Sequence, residues 1–132
     1  MFKVLTLAAL VSLAVPTNAN EITAEFLKKE LELAHSQYIR GSSDSALYAL
    51  NALARILELD SAKTLQTELG PNNLAFTYLR IGLIYEHEGD QHQANSYFAK
   101  AMNAHQGEKL KLAELKAYIT KLDKSAAHLI LI

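Results

Sequence analysis

Cysteine and tryptophan are absent from this sequence of 132 residues, which contains only 2 prolines and 5 glycines. Without cysteine, the chain forms no disulfide, offers no thiolate to a metal ion and has no cysteine nucleophile. The scarcity of helix breakers, together with frequent Ala, Leu, Glu and Lys, favours helices over strands or disorder. No stretch of useful length alternates polar and apolar residues, so we expect an all-α fold without a β-sheet.

A block of charge of one sign is also missing. The 13 basic and 14 acidic side chains are spread along the chain. Such a distribution provides no electrostatic footprint for nucleic acid or for an acidic membrane surface. We therefore expect no nucleic-acid partner.

Motifs of catalysis and of cofactor binding are not found either. The sequence has no Gly-x-Ser-x-Gly elbow, no phosphate-binding glycine loop and no His-Glu-x-x-His pair. His87 and His92 enclose Glu88 and Asp90, but their spacing across a turn is not that of a metal site, so we interpret the four as a solvated turn. We expect no catalytic activity, no cofactor and no metal.

The pattern of residues 1–19 is that of a secretory signal peptide. Lys3 supplies a positive start, residues 4–15 are mostly apolar, and small residues lead to an expected cleavage after Ala19. The apolar run is shorter than the roughly 20 residues that span a bilayer as a helix. We expect an exported protein, periplasmic or secreted, without an integral membrane segment after cleavage. Residues 20–132 suffice for a single helical domain.

A first helical pair is predicted within residues 20–66. Apolar residues recur there at steps of three and four, which is the period of one helical face. Thr23 is expected to cap the first helix, and Ser43 or Asp44 the second. Residues 60–69 continue as helix, either as a prolongation of the second helix or as a separate short one.

A second helical pair follows within residues 75–106. Its first helix is predicted to span Leu74–His87, with Asn72 or Asn73 as N-cap. Its second helix is predicted over residues 91–105. The two helices are joined by a short turn, so they are expected to be antiparallel.

The last segment, residues 107–132, is predicted to form one capping helix after a break at Gly107. An apolar stripe runs through it and ends in residues 129–132, which are apolar on every side. We favour the interpretation that this tail folds back as core. The alternative is that it docks onto a partner or onto a second copy of the chain, which would give a homo-oligomer.

In the second pair, small residues stand where two helices approach each other and large ones fill the space between them. This segment resembles the tetratricopeptide repeat. The residues that carry the resemblance are Tyr78, Ile81, Gly82, Tyr85, Gly89, Ala94, Phe98 and Ala101. Residues 20–66 form a degenerate copy, in which Leu33 and Ala34 take the places of Ile81 and Gly82 and the aromatic landmarks are missing.

The resemblance implies a short array of antiparallel helix pairs, about five helices in all, whose first helices line a groove for a protein or peptide partner. By position, the groove would present two sets of side chains. The clear repeat contributes Phe76, Leu79, Arg80, Leu83 and Glu86, and the degenerate repeat contributes Lys28, Leu31, His35 and Tyr38. The alternative, equally open at this point, is that these apolar side chains pack against a neighbouring helix.

Two functions follow from this sequence. The resemblance implies a non-catalytic exported adaptor that binds a protein or peptide. The alternative is a small exported inhibitor or immunity-type protein that blocks an enzyme. Leu79 and Leu83 stand where the repeats that clamp a C-terminal carboxylate carry polar residues, which argues against that subclass.

Overall fold

Five helices make up most of the chain in a computed structural model that describes residues 22–105 and 108–131. They are α1 (Ala24–Arg40), α2 (Ser43–Leu57), α3 (Leu74–His87), α4 (Gln91–Ala104) and α5 (Leu112–Leu131). The described residues include no strand, which confirms the all-α fold class. The predicted signal peptide, the break at Gly107 and the side chains of the apolar tail, residues 129–132, lie outside the described part.

Side-chain caps set the beginnings of the helices. The side chains of Thr23 and Asn73 each accept a hydrogen bond from the backbone N–H three residues further on, at 3.1 Å, as predicted. The predicted cap of α2 is wrong by one residue or two. Ser42 takes this role, because its extended backbone precedes the first helical residue, whereas Ser43 and Asp44 already belong to the helix.

Residues 60–69 form a succession of short pieces rather than one helix. A 3-10 segment, Asp60–Leu65, leads into a single α-helical turn, Gln66–Leu69, and then into a second 3-10 turn, Gly70–Asn72. The side chain of Gln66 joins this linker to the helices on both sides. Its Nε2 donates to the carbonyl oxygen of Leu57 at 3.2 Å, and its Oε1 accepts from the backbone N–H of Leu74 at 3.0 Å.

Close packing between α3 and α4 forms the centre of the core. A Cβ atom added at Gly82 would lie 2.5 Å from Cε1 of Phe98 and 3.3 Å from the carbonyl oxygen of Ala94. Gly89 closes the turn between the two helices with φ at 85°, a left-handed conformation that favours glycine at a helix C-terminus. The signature residues buried in this core are Tyr78, Ile81, Gly82, Ala94, Phe98 and Ala101.

The two helical pairs pack side by side, since α1 contacts α2, α2 contacts α3 and α3 contacts α4. Tyr78 fastens the pairs together, because its hydroxyl donates to the carboxylate of Glu58 just after α2. Tyr85 lies at the rim, where its ring stacks on that of Tyr97 with centroids 5.8 Å apart. For α1 to α4, the order along the chain is therefore also the order in space.

Candidate partner-binding surface

The groove residues predicted on α3 lie mostly inside the molecule. Phe76, Leu79 and Arg80 are only 8%, 1% and 3% exposed. Leu83 and Glu86 are partly exposed. The prediction of an open groove is therefore wrong at the first three positions.

The groove residues predicted on α1 are more accessible. Lys28 is exposed, and His35 is partly buried. Leu31 and Tyr38 are partly buried and pack against the core. Only the outer part of the predicted groove is therefore a free surface.

Helix α5 covers the groove on α3. Its residues Leu115 and Ile119 are 2% and 0% exposed. The ring of Tyr118 lies against that of Phe76 with centroids 5.8 Å apart, and the Lys116 ammonium lies 3.0 Å from a carboxylate oxygen of Glu86. The capping helix thus lies where the resemblance placed a partner, and the interpretation that a neighbouring helix covers these side chains is confirmed for Phe76.

A buried ion pair fixes α5 on α3. The guanidinium of Arg80 donates two hydrogen bonds to the carboxylate of Asp123, from Nε at 3.0 Å and from Nη2 at 2.9 Å. Its third nitrogen, Nη1, donates to the carbonyl oxygen of Pro71 at 3.0 Å and reaches Oδ1 of Asn72 at 3.4 Å. A fork-on-fork arrangement of this kind has the strongest geometry that a protein ion pair adopts.

Two residues of α1 complete the surroundings of this pair. Nε2 of His35 lies 3.6 Å from Oδ1 of Asp123, which is longer than a hydrogen bond. The ring of Tyr38 flanks the Arg80 guanidinium, with 5.8 Å between its centroid and Cζ. One carboxylate therefore connects α5 to both α1 and α3.

The electrostatics of the cluster favour a charged Asp123. Burial opposes ionisation of this carboxyl, but the His35 imidazole and the Arg80 guanidinium outweigh burial and lower its pKa. Burial, with the negative charge of Asp123 as a second cause, raises the pKa of Tyr38 to about 12. The cluster therefore consists of a guanidinium, a carboxylate and a neutral phenol.

Sequence reasoning missed Asp123. An isolated acidic residue is usually exposed to solvent, but Asp123 is only 8% exposed. The available signal is its position four residues after Ile119 and eight after Leu115, on the same face of the helix. Arg80 gives the matching signal, because a cation within a buried helix needs an anionic partner.

An open cleft remains beside the covered groove. It has a volume of about 690 Å³ and lies between the start of α3, the linker and the start of α5. Polar groups reach it from Glu58, Lys63 and His105. Its apolar lining comes from Leu57, Leu74, Phe76, Leu110, Leu115 and Tyr118.

A second apolar surface, here called the outer face, lies on α1 and α2 away from α3. Tyr48 is 81% exposed, Leu33 is 62% exposed and Phe26 is 42% exposed. Leu33 and Tyr48 also line a shallow depression of about 580 Å³. Leu33 corresponds in the degenerate repeat to Ile81, which is fully buried. The difference arises because α3 packs on α2, whereas no described element packs on this side of α1.

Neither a metal site nor a membrane-spanning helix is found in the described part of the chain. Over these residues, no group of three or more His, Cys, Asp and Glu side chains could hold a metal ion. None of the helices there is long and apolar enough to cross a bilayer.

Comparison with known proteins gives no relative. No family model matches the chain, and no curated protein or solved structure is significantly similar to it. The likeness to the tetratricopeptide repeat therefore depends on the eight signature residues, and it stays a prediction.

Proposed function

We propose that this chain is an exported, non-catalytic adaptor that binds a protein or peptide partner in the cleft beside α5. The observation that carries the proposal is the cleft itself, whose volume of about 690 Å³ and largely apolar lining are those of a binding site. Tyr118 is a suitable anchor for a partner, because it lines the cleft and is 48% exposed. Export is inferred from residues 1–19.

The partner would bind by placing apolar side chains against the aromatic wall of the cleft. Phe76 forms this wall together with Tyr118 and His105, whose rings lie 5.8 Å and 6.0 Å from it. Glu58 and Lys63 supply one group of each charge at the margin. A few convergent polar groups around an apolar centre orient a ligand, while the apolar contact area supplies most of the affinity.

Affinity capture from an envelope extract tests the proposal. The tagged full chain is compared with Tyr118→Lys, which places a charge in the cleft, and with Tyr48→Lys, which makes the same change on the outer face. We expect a defined partner to be retained by the wild-type chain and by Tyr48→Lys, and to be lost from Tyr118→Lys. Circular dichroism checks that both variants keep their helix content. Retention of the partner by Tyr118→Lys would refute the cleft as its site.

The outer face favours the second candidate, an exported inhibitor or immunity-type protein. Exposed apolar clusters on small proteins mark surfaces of association, and Tyr48 and Leu33 form such a cluster. This candidate predicts the reverse pattern: Tyr48→Lys loses the partner, and Tyr118→Lys keeps it. The captured protein would then be an enzyme whose activity falls in a one-to-one complex.

A further inference from the structure

The buried face of α5 has a simple pattern. Leu115, Ile119 and Asp123 are 2%, 0% and 8% exposed, and they follow one another at intervals of four residues. On a helix, such residues lie one above the other. The covered groove is therefore occupied by a helix that presents two aliphatic side chains and one carboxylate in a line.

The site for that carboxylate is held by parts of the chain other than α5. Arg80 belongs to α3, and its Nη1 is tied to the carbonyl oxygen of Pro71 and to the side chain of Asn72. These bonds fix the guanidinium plane and leave Nε and Nη2 directed at the carboxylate. His35 and Tyr38 approach from α1. Any helix that lies here with a carboxylate at this level can form the same two hydrogen bonds.

Among the described side chains, the other ion pair of α5 is near the surface. In the Lys116–Glu86 pair the side chains are 28% and 34% exposed, and solvated pairs of this kind contribute little to stability. Tyr118 also reaches solvent, being 48% exposed. The strong polar contact of α5 is thus the one through Asp123, which a competing carboxylate reproduces.

We propose that α5 occupies the place of a partner helix, and that the partner is an amphipathic helix carrying two aliphatic residues and an Asp or Glu at four-residue intervals. This helix displaces α5 and pairs with Arg80. The inference rests on the proposed adaptor function, but it places the partner in the groove instead of the cleft, because the cleft loses Leu115 and Tyr118 when α5 is displaced. It adds the chemical class of the partner and a form of self-competition, because the tethered α5 has an effective concentration on the order of millimolar.

A peptide of residues 111–125 of this chain is the probe, since it contains the three residues of the buried face. Its binding to the full chain is measured by fluorescence anisotropy. Asp123→Asn in the protein removes the competing carboxylate and leaves Arg80 in place. We expect the peptide to bind this variant more tightly than the wild-type chain. A peptide with Asn in place of its Asp should bind roughly ten- to a hundredfold more weakly, as expected for a lost charge-assisted hydrogen bond.

Two further variants keep the test decisive. Lys116→Glu places a second carboxylate beside Glu86, and the repulsion should loosen α5 without changing Arg80. If Asp123→Asn does not fold, peptide binding to Lys116→Glu tests the inference in its place. In Glu86→Cys/Lys116→Cys, a short bismaleimide joins the two introduced thiols, each of which adds across one maleimide double bond, and the bridge holds α5 in place. We expect the bridged protein to lose peptide binding and the unbridged protein to keep it.

Several results would overturn the inference. These are equal binding of the Asp and Asn peptides, equal binding to the bridged and unbridged proteins, and no binding to either loosened variant. None of them affects the adaptor proposal, which is decided by capture with Tyr118→Lys. If capture fails and the peptide still binds, the groove site stands and the cleft does not.

Discussion

The ring of Phe98 lies so close to the backbone of Gly82 that a Cβ atom at residue 82 would be 2.5 Å from Cε1 of the ring. Alanine is the better helix former by about 1 kcal/mol, but the 3% exposed ring has no room to move. We expect Gly82→Ala to lower the free energy of unfolding by about 1 to 3 kcal/mol, as overpacking does. Urea denaturation followed by circular dichroism measures the change.

A double-mutant cycle identifies the ring as the cause. Phe98→Ala alone should cost about 3 to 5 kcal/mol, because it empties a buried aromatic site. Once the ring is gone, the added methyl group at residue 82 meets no obstacle. The double variant should therefore lose less than the two single losses added together. Strictly additive losses would contradict a contact between these two residues.

The Asp123 carboxylate contributes folding stability that is lost in acid. Its pKa is lowered in the folded chain, because the cations of its surroundings outweigh burial. Its stabilising effect is therefore complete above the ordinary aspartate pKa of about 3.9 and disappears as the pH falls through the folded value. We expect the difference in free energy of unfolding between wild type and Asp123→Asn to be constant near pH 5 and to shrink in stronger acid.

Urea titrations at a series of pH values measure this difference. His35, Arg80 and Tyr38 all face the carboxylate. The comparison is repeated in a His35→Gln background, which removes the imidazole and leaves the Arg80 guanidinium in place. A difference that stays the same from neutral pH to strong acid would show that Asp123 contributes nothing through its charge.

Tyr38 is expected to make part of the folding stability depend on pH in alkali, in the direction opposite to that of Asp123. Its pKa in the folded chain is raised to about 12, whereas a tyrosine in the unfolded chain ionises near pH 10. The folded state keeps the proton that the unfolded state loses, so this stabilisation is present below about pH 10 and is lost as the pH rises further. We expect Tyr38→Phe to flatten this alkaline decline. Phenolate absorbance should show one late-titrating tyrosine fewer in the variant.

Gln66 is expected to stabilise the linker between the two helical pairs. Its Nε2 donates to the carbonyl oxygens of Leu57 and Ala62, and its Oε1 accepts from the backbone N–H of Leu74. Gln66→Glu keeps the shape and the acceptor but removes both donors, so about 1 to 3 kcal/mol of unfolding free energy should be lost. Thermal unfolding provides the measurement.

Gln91→Glu is the matched control for the linker variant. The side chain of Gln91 is exposed, and its Nε2 donates to Oδ1 of Asn95 at 2.8 Å. Such surface changes stay within about 0.5 kcal/mol. Equal effects at the two glutamines would mean that the bonds of Gln66 do not hold the linker.

The features of the fold that depend on neighbouring residues could be predicted from sequence. The bounds of α3 are the predicted ones. Gly70 and Pro71 end the α-helical turn before it, and Asn73 caps α3 by accepting a hydrogen bond from a residue three positions further on. The division of residues 60–69 into short helical turns could not be predicted in this way. Their 3-10 turns are supported by Gln66 through bonds to both flanking helices, and propensity does not encode these bonds.

Sequence alone could not decide between an open and a covered groove, because the covering depends on a contact between residues 43 positions apart. In the sequence, Asp123 stands between Leu122 and Lys124 like any solvated acid. The periodicity of α5 gives it an apolar face but does not say which surface that face meets. Only the presence of Arg80 within the apolar run of α3 indicates that an anion comes from elsewhere in the chain.

The Arg80–Asp123 pair also affects the order in which the parts of the chain fold during synthesis. Synthesis proceeds from the N-terminus, so Arg80 is made well before its partner, and the first four helices form while its charge has no carboxylate to meet. Before α5 is present, the groove on α3 is not covered and its apolar side chains are open to water, so the nascent four-helix part lacks this part of the core and is expected to stay loosely folded. The chain is therefore expected to reach its compact state only after Asp123 has been synthesised.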